Sequence, residues 1–329
     1  MRYIINNSTD PYFNIALEEY CLMYVDPGED YFLLWQNEPA IIIGKNQNTL
    51  EEINPAFVEE RGIKVVRRIS GGGAVYHDLG NLNFTFISKV DPVRTTDFSV
   101  FANPVIKVLR ELGVHAMLLG RNDIIANDRK ISGNAQRLYR TKFLQHGTLL
   151  FDVNIDDLAE ALNVSSDKIQ SKGIKSIRSR VGNIREFLKE DMTIEGFREL
   201  LQKSLSDDYR SDEIRLSEED LQQIEERARS KFASWAWTYG GSPPFNYRSE
   251  KRFPGGKVGV FIHVKDGLMA ECKFFGDFLS ILDTEDFATG LIGLKYERET
   301  LEAALSKTDL SPYFGSITGP ELMEVMMEQ

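Results

Sequence analysis

Residues 67–78 read Arg67-Arg68-Ile69-Ser70-Gly71-Gly72-Gly73-Ala74-Val75-Tyr76-His77-Asp78 and lie between two strand-like runs, Lys64–Arg67 and Asn81–Ser88. Glycine has no Cβ, so three successive glycines let the backbone adopt positive φ and come close to a ligand. Consecutive backbone N–H groups in such a loop form an anion-binding concavity. Arginine adds a planar fork suited to phosphate or carboxylate oxygens. The stretch therefore predicts a phosphate-binding loop; the alternative is a glycine-rich hairpin with exposed arginines.

Two familiar nucleotide-binding motifs do not match this loop. No Gly-Lys-Ser/Thr follows the glycines, so the loop is not a P-loop of the Walker type. Nor does it read G-x-G-x-x-G at the start of a helix, since strand-like residues follow it, which argues against a dinucleotide-binding fold. A nucleotide bound at this loop therefore needs a different architecture.

Two later segments place further polar residues on strands. Gly120–Gly133 predicts a strand, a polar turn and a second strand, because Asn127-Asp128 is a good turn former. The turn brings Lys130 to the start of the second strand, where its direction is fixed. Gln145–Asp152 predicts a strand that begins with a polar trio, which includes His146. The alternatives are a solvated lysine and a structural histidine.

Together these segments resemble the lipoate-protein ligase family, which is related to the biotin protein ligases. The family's Arg-Arg-x-Ser-Gly-Gly-Gly-Ala-Val-aromatic-His-Asp run is present at Arg67–Asp78. Its other motifs, Gly-Arg-Asn-Asp, Asp-Arg-Lys-hydrophobic-Ser-Gly and His-Gly-Thr-Leu-Leu, match Gly120–Asp123, Asp128–Gly133 and His146–Leu150. Lys172–Val181 is also similar to the family. Several motifs in order are far more specific than any one of them.

The resemblance implies a two-step reaction. Lipoate and ATP give lipoyl-adenylate and pyrophosphate, usually with Mg²⁺, and the lipoyl group then passes to a lysine of a lipoyl domain. The implied acceptors are the acyltransferase subunits of 2-oxoacid dehydrogenases and the glycine-cleavage H protein. Both reactants of the first step are anionic, so cations must stabilise the charge that develops in the transition state.

The resemblance also implies roles for residues of this chain. Lys130 takes the catalytic position, because the matching lysine in family members reaches both the acyl carbonyl and the α-phosphate. Asp123 is the candidate for contacting the metal or for orienting the acceptor lysine. The expected contacts to ATP and lipoyl-adenylate are Arg68, Ser70, Gly72, Gly73, Ala74, Val75, Tyr76, His77, Asn122, Asp123, Lys130, His146 and Thr148. The expected contacts to lipoate are Lys130, Gly73, His77 and His146.

Cysteine usage separates the ATP-dependent route from an octanoyl- or lipoyl-transferase that works through a cysteine thioester. A nucleophilic cysteine needs an electropositive, partly exposed setting. Cys21 lies in a helical pattern and Cys272 in a C-terminal strand outside all the motifs, and the sequence has no other cysteine. Neither is a plausible nucleophile. A non-catalytic lipoate- or nucleotide-binding paralogue, a biotin ligase and a cysteine-free acyltransferase are further alternatives; the intact Lys130 argues against the paralogue.

The composition fits a cytoplasmic enzyme. Lys and Arg number 39 against 50 Asp and Glu in 329 residues, and the net charge of −11 argues against general nucleic-acid binding. No apolar run is long enough to span a membrane, and Met1–Asp10 lacks a signal-peptide pattern.

Against this acidic background, residues 172–185 contain basic residues and no acidic one: Lys172, Lys175, Arg178, Arg180 and Arg185. We expect this basic strip to dock an acidic acceptor or to cover the bound adenylate. The alternative is a solvated basic face.

The order of the elements predicts an α+β fold, in which a mixed β-sheet is flanked by helices and followed by a small C-terminal α+β accessory domain. The break at Gly240–Pro244 divides the chain into a catalytic domain, 1–246, a linker, 247–256, and the accessory domain, 257–329. Asp266-Gly267 between two strand-like runs indicates a hairpin. Helices are predicted at Asn14–Tyr24, Phe98–Leu112, Asp156–Asn163, Thr193–Leu205, Glu218–Lys231, Thr284–Leu291 and Glu297–Ser306, and strands also at Tyr31–Gln36, Ala40–Gly44, Val114–Leu119, His146–Phe151, Val258–Lys265 and Leu268–Phe275.

Overall fold

The structure is a computed structural model that describes residues 1–25, 30–90, 97–120, 122–162, 180–209, 213–239, 247–265 and 267–327. Within these ranges no helix is long and apolar enough to cross a membrane. The strands are β1 (Arg2–Ile4), β2 (Tyr31–Trp35), β3 (Ala40–Ile43), β4 (Lys64–Arg67), β5 (Val75–His77), β6 (Asn81–Lys89), β7 (Ala116–Leu119), β8 (Asp123–Ala126), β9 (Arg129–Tyr139), β10 (Lys142–Leu150), β11 (Glu213–Ile214), β12 (Tyr247–Phe253), β13 (Gly256–Lys265) and β14 (Leu268–Gly276).

The helices occupy the chain between these strands. They are α1 (Pro11–Tyr24), α2 (Thr49–Glu52), α3 (Pro55–Arg61), α4 (Ser99–Glu111), α5 (Ile155–Ala161), α6 (Ile194–Tyr209), α7 (Glu218–Arg227), α8 (Trp235–Thr238), α9 (Thr284–Thr289), α10 (Arg298–Ser306), α11 (Ser311–Phe314) and α12 (Gly319–Met327). A 3₁₀ turn covers Ile184–Phe187, and a π-helical turn at Ala228–Phe232 continues α7.

The strands form three sheets, in line with the predicted α+β fold. The largest has eight strands in the order β11-β1-β2-β6-β10-β9-β8-β7. It is mixed, because β1 pairs in parallel with β2 and β11 while β2, β6, β10 and β9 pair antiparallel. A small sheet, β4-β3-β5, carries the strand before the glycine loop and the strand after it, and the third sheet is β12-β13-β14.

The large sheet is buried on both faces. Along β2, Phe32 and Leu34 pack in the hydrophobic cluster that includes residues of α4 and α6, whereas Leu33 and Trp35 pack in the cluster that includes α1. Successive side chains of a strand point to opposite faces, so an uninterrupted apolar run such as Tyr31–Trp35 is what a strand between two helical layers requires.

Local signals explain where α1 and α3 begin and end. Asp10 caps α1, and Pro11 occupies its first turn, where a missing N–H costs nothing. Asn54 accepts a hydrogen bond from Phe57 N at the start of α3, and Gly62 ends that helix at φ 61°.

The predicted linker at residues 247–256 is wrong. Tyr247–Phe253 forms β12, which pairs antiparallel with β13 from Tyr247↔Ile262 to Phe253↔Gly256. Its sequence, Tyr-Arg-Ser-Glu-Lys-Arg-Phe, is charged and mostly solvent-facing because β12 is an edge strand, and charged side chains are common on such edges. The hairpin of β13 and β14 is confirmed, although Asp266 of its turn lies outside the described residues. The division of the chain into two domains stays a prediction.

The other predicted helices and strands occur, with ends that differ by a few residues. One difference matters for the site. Strand β10 begins at Lys142, so His146 lies in the middle of the strand and pairs with Thr85 of β6 and Ala135 of β9. Gln145 and His146 therefore lie on a part of β10 that is paired with a strand on each side.

Candidate active site

Both arginines before the glycine loop are buried, at 8% exposure for Arg67 and 5% for Arg68, which contradicts the alternative of exposed arginines. Four of the five N–H groups of Arg68 donate hydrogen bonds, to Ile42 O, Ser70 Oγ, Gly71 O and Gly73 O. Burial lowers the pKa of Arg68 to about 10, which still leaves the guanidinium charged at neutral pH. Arg68 therefore braces the loop and keeps a single N–H for a ligand.

Arg67 faces the other way, since neighbouring residues of a strand alternate. Its guanidinium donates to the carbonyl oxygens of Gly44, Lys45 and Gln47 and to Thr238 O. The arginine pair thus fixes two backbone segments, one on each side of β4.

Glycine is required at Gly71 and Gly72 of the loop and at Gly44, which packs against the loop. A Cβ on Gly44 would lie 1.9 Å from Gly72 O, and Gly72 itself has φ +89°, a conformation that favours glycine. A Cβ on Gly71 would lie 2.7 Å from both N and Oγ of Ser280. The loop is therefore held between the β3–α2 connection and a segment of the C-terminal part of the chain, where Phe278 O accepts a hydrogen bond from Gly72 N.

A cavity with about 580 Å³ of empty space opens beside this loop. The structure brings most of the predicted site residues to its wall: Arg68, Gly72, Gly73, Ala74, Val75, His77, Asn122, Lys130, His146 and Thr148. Three predicted residues do not line it. Ser70 is fully buried behind the loop, Tyr76 packs in a hydrophobic cluster on the opposite face of β5, and Asp123 reaches the cavity only through Lys130.

His146 is the centre of a buried hydrogen-bond chain. Its Nδ1 lies 2.9 Å from Oε1 of Glu18, a residue of α1 that is 1% exposed, and its Nε2 lies 2.7 Å from Ser70 Oγ. A carboxylate oxygen accepts, so Nδ1 donates to Glu18, and Nε2 shares a hydrogen bond with the Ser70 hydroxyl, which also accepts from Arg68 Nε. Thr85 also donates to Glu18. The chain fixes the imidazole against the loop and explains why α1 carries a buried glutamate.

His77 presents a free donor to the cavity. Asn14 donates to Oδ1 of Asn37, which turns the amide nitrogen of Asn37 towards Nδ1 of His77 at 3.0 Å. The His77 proton therefore sits on Nε2, which is buried and has no hydrogen-bond partner among the described residues. Burial, with Arg68 and His146 nearby, lowers the pKa of His77 to about 3, so the ring is neutral at pH 7.

Two asparagines add further unpaired polar atoms. Asn83 on β6 and Asn134 on β9 both line the cavity and are almost fully buried. Within the described ranges, Nδ2 of Asn83 and Oδ1 of Asn134 lack a hydrogen-bond partner. Buried polar atoms are costly when they are left unpaired, so these atoms and His77 Nε2 indicate a cavity built for a polar ligand.

Lys130 is a partly exposed cation of the wall: its side chain is 38% exposed and its ammonium lies 2.7 Å from Oδ1 of Asp123. The turn before it has φ 46° at Asn127 and 61° at Asp128, the left-handed pair that a two-residue hairpin turn needs. This confirms the predicted strand, turn and strand. It also places Lys130 at the start of β9, beside Gly133.

The sequence did not single out several residues of the wall. They are Ile15, Trp35, Ile42, Asn83, Gly133, Asn134, Ala135 and Gly147. Gly133 and Gly147 lie inside the quoted motifs, but the others lie on strands or helices whose apolar pattern predicts only a core. Asn83 and Asn134 carried a usable signal, because a polar amide in the middle of an apolar strand requires a partner.

The basic strip is only partly within the described structure, because residues 172–179 lie outside it. Arg185 is not an unpaired cation: it forms ion pairs with Asp152 and Asp191, both at 2.7 Å. The strip is therefore less positive at its C-terminal end than the sequence alone indicates.

Comparison with known proteins identifies two matching family models. Residues 10–206 match the lipoyl protein ligase A/B catalytic domain. Residues 242–326 match the bacterial lipoate protein ligase C-terminus. The two matches together span the described cavity and the sheet of β12, β13 and β14.

Similar whole proteins and structures agree with these matches. Lipoate-protein ligase LplJ of Bacillus subtilis is 48% identical over 330 residues, which cover 99% of this chain and 100% of that protein. Lipoate–protein ligase 1 of Staphylococcus aureus is 44% identical over 327 residues, with the same coverage. Crystal structures of P. falciparum LipL1 in complex with lipoate and of lipoate-protein ligase A bound with ATP superpose with TM-scores of 0.79 and 0.63, at 28% and 26% identity. They cover 94% and 73% of this chain, and 94% and 98% of their own chains.

Proposed function

This chain belongs to the lipoate-protein ligase family, and from that membership we propose that it activates lipoate with ATP and transfers the lipoyl group to a lysine of lipoyl domains. The proposed acceptors are the acyltransferase subunits of 2-oxoacid dehydrogenases and the glycine-cleavage H protein, and the proposed location is the cytoplasm. One observation carries the proposal: a single cavity joins a braced glycine loop, an exposed lysine and unpaired polar atoms.

In the first step the lipoate carboxylate attacks the α-phosphate of ATP and pyrophosphate leaves. Lys130 supplies the positive charge that both anionic reactants need, after exchanging its ion pair with Asp123 for the ligand. The backbone of Gly72–Val75 follows the nucleotide, held by Arg68. His77 donates from Nε2 to the bound acyl group or adenylate, which gives that buried N–H its partner.

In the second step the acceptor lysine attacks the acyl carbonyl of the mixed anhydride and AMP leaves. An ordinary lysine has a pKa near 10.4, so it must lose a proton to become a nucleophile. Asp123 lies beside Lys130 at the edge of the cavity, where a carboxylate orients an incoming ammonium. The adenylate is a good acyl donor, so the protein's task is to position the amine and exclude water.

Mg²⁺ belongs to the proposal through its chemistry with ATP. It prefers oxygen ligands and keeps several waters, so phosphate oxygens with a single carboxylate suffice. Asp123 would be that carboxylate once Lys130 has exchanged its ion pair for the ligand, because the Asp123 oxygen 2.7 Å from the Lys130 ammonium is then free. When bound, the metal would neutralise charge on the phosphates of ATP.

The thioester route of octanoyl- and lipoyl-transferases is the alternative. Cys21 and Cys272 are absent from the wall of the cavity. Burial raises the pKa of the Cys21 thiol far above its usual range and that of Cys272 to about 12. A thiol with a raised pKa is a poor nucleophile at neutral pH. The double variant Cys21→Ala and Cys272→Ala should therefore keep its transfer activity, whereas its loss in a folded variant would favour the thioester route.

The deciding experiment is mass spectrometry of a lipoyl domain after incubation with the enzyme, ATP, Mg²⁺ and lipoate. We expect the mass of one lipoyl group on one lysine. Leaving out ATP is the control, because a transferase that uses a preformed acyl donor does not need it. If the domain stays unmodified while lipoate or ATP still binds, the chain is a binding paralogue and the proposal fails.

A further inference from the structure

A second cleft lies between the two parts of the chain, on the side of β4 opposite to the cavity. It holds about 920 Å³ of empty space. Its walls come from the β3–α2 connection, from α8 and from β13 and β14, with Lys45, Arg67, Trp237, Phe261, Lys273 and Phe275 as the residues that matter here. The proposed function leaves this cleft without a role.

Lys273 is an unsatisfied cation in this cleft. Its side chain is more than half buried on β14, and burial lowers the pKa of its ammonium. No hydrogen bond or ion pair holds that ammonium in the part of the chain that the structure describes; its charged neighbours are Glu285 and Arg67. Removing an ammonium from water without a close partner is costly, so the position favours an anion.

Lys45 of the β3–α2 connection lines the same cleft. Burial lowers the pKa of its ammonium, which lies 4.3 Å from the centre of the Trp237 ring and 3.9 Å from Oδ1 of Asp283. Asp283 is already engaged, because Arg137 donates to both of its oxygens at 3.0 and 2.6 Å. The charge of Lys45 is therefore offset by the Trp237 ring, by Glu285 and by a long contact to an aspartate that is already paired.

The remaining charges do not cancel this excess. Arg67 also lines the cleft and is charged, although its donors are used by backbone oxygens. Lys231, whose ammonium lies 4.1 Å from the centre of the Trp237 ring, is paired with Glu19 at 2.6 Å. Glu285 is the carboxylate among the cleft's wall residues that faces Lys45, Arg67 and Lys273. The cleft is thus positive in a chain whose net charge is −11.

A neutral donor strengthens the case. Gln47 lies in the wall and is 4% exposed, and its Oε1 accepts a hydrogen bond from Gly44 N. Its Nε2 is buried and, within the described ranges, has no hydrogen-bond partner. Unpaired buried amides are uncommon in folded proteins.

We infer that this cleft binds a phosphate-bearing anion, held by the ammonium groups of Lys45 and Lys273 and by the amide of Gln47. Lysine binds phosphate as a point charge and needs no fixed fork geometry. Trp237, Phe261 and Phe275 line the same space, and this apolar wall suits an organic group attached to the phosphate. The anion comes either from ATP, as its phosphates or the released pyrophosphate, or from a separate phosphorylated effector.

The test is calorimetric titration of the full-length protein with inorganic pyrophosphate, without lipoate, so it does not depend on the proposed ligase activity. We expect Lys273→Gln and Lys45→Gln each to weaken binding about tenfold or more, the effect of losing one charged hydrogen bond. Lys295→Gln, which removes an exposed lysine of the same C-terminal part, should leave the affinity unchanged. Two independent variants guard against misfolding, and thermal unfolding confirms that each is folded.

Repeating the titration with saturating ATP distinguishes the sources. If ATP abolishes the lysine-dependent binding, the cleft receives phosphates from the reaction itself. If pyrophosphate still binds in the presence of ATP, the cleft is a separate effector site. If the affinity of the wild type equals that of both lysine variants, or the wild type does not bind pyrophosphate, the inference is overturned.

Discussion

The Lys130 ammonium lies 2.7 Å from Asp123 Oδ1 and about a third of the side chain is exposed. An ion pair this exposed stabilises the fold little, so exchanging Asp123 for a phosphate or a carboxylate costs little. A long flexible side chain with a point charge can reach both reactants. The contact with Asp123 thus holds the cation at the cavity without trapping it.

We predict that Lys130→Ala abolishes adenylate formation and leaves the fold intact. Losing one stabiliser of transition-state charge lowers a rate by ~10²–10³. Pyrophosphate release with lipoate and ATP measures the first step alone, and the thermal midpoint should stay close to that of the wild type. Adenylation within a few-fold of the wild-type rate would remove Lys130 from the mechanism.

His77 links the cavity to pH. Its pKa falls from the ordinary value of 6.5 to about 3 on folding, because burial disfavours the charged ring. Between these two values the unfolded chain binds more protons than the folded one, so stability rises with pH. The contribution of His77 is fully present above pH 6.5 and is lost as the pH falls towards 3.

We predict that His77 alone lowers the free energy of unfolding of the wild type by about 2 kcal/mol when the pH falls from 8 to 5. His77→Gln removes the titrating group and keeps a polar side chain beside Asn37. Urea unfolding at both pH values should therefore show the wild type losing about 2 kcal/mol more than the variant. Equal losses in the two proteins would mean that His77 is accessible to protons in the folded state.

At the scale of elements, the hairpin of β8 and β9 sets the position of Lys130. Asn127 and Asp128 both have positive φ, at 46° and 61°. Only a few residue types adopt this conformation easily, and a β-branched residue there is a genuine outlier. The turn therefore sets the position of Lys130, two residues after Asp128.

The pair Asp128→Gly and Asp128→Val tests this turn. Glycine keeps the left-handed conformation, so we expect adenylation close to wild type. Valine costs about 1–2 kcal/mol at that φ and shifts the start of β9, so adenylation should fall and the thermal midpoint with it. Equal loss of activity in both variants would assign the effect to the carboxylate of Asp128 instead of the turn.

Much of this architecture follows from local sequence. The spacing of apolar residues predicts the helices and strands, and Asn127-Asp128 predicts the hairpin turn, because both signals depend on only a few neighbouring residues. The edge strand Tyr247–Phe253 was missed, since its charges reflect solvent on an exposed edge and give no apolar period. The position of Glu18 was missed as well, since its partner His146 is 128 residues away in sequence.

The motifs predicted the site better than its electrostatics. The loop, Lys130 and His146 were found by their pattern, and the structure places them on one cavity. The sequence did not reveal that Arg68 donates three hydrogen bonds to residues of the loop, because hydrogen-bond partners depend on the folded backbone. Neither did it reveal the tautomer of His77, which two asparagines determine.

At the scale of the whole molecule, contacts to one segment join the two parts of the chain. Residues 278–283 accept hydrogen bonds from Gly72 of the glycine loop, from Asn46 and from Leu138, and Asp283 pairs with Arg137. The bond from Gly72 N to Phe278 O lies directly on the loop that lines the cavity. The C-terminal part therefore helps to define the shape of the candidate active site.

The net charge of −11 sets a problem for transfer, because an acidic lipoyl domain would be repelled. Rim charges mainly set the rate of encounter, so the basic strip is the candidate to overcome the repulsion. Lys172 and Lys175 lie outside the described residues, whereas Arg185 is neutralised by two carboxylates. The docking hypothesis is therefore tested at Lys172 and Lys175.

We predict that Lys172→Glu with Lys175→Glu slows lipoyl transfer and makes it less sensitive to salt, while pyrophosphate release is unchanged. Lys203→Glu with Lys295→Glu is the matched control, since both lysines are exposed and each double reversal changes the net charge from −11 to −15. Low ionic strength gives the strongest contrast, because surface charges then act over the longest distance. If both half-reactions slow or free lipoyl-adenylate leaks out, the strip covers the adenylate instead of docking the acceptor. If the reversal and the control behave alike, the strip is only a solvated face and the docking hypothesis is wrong.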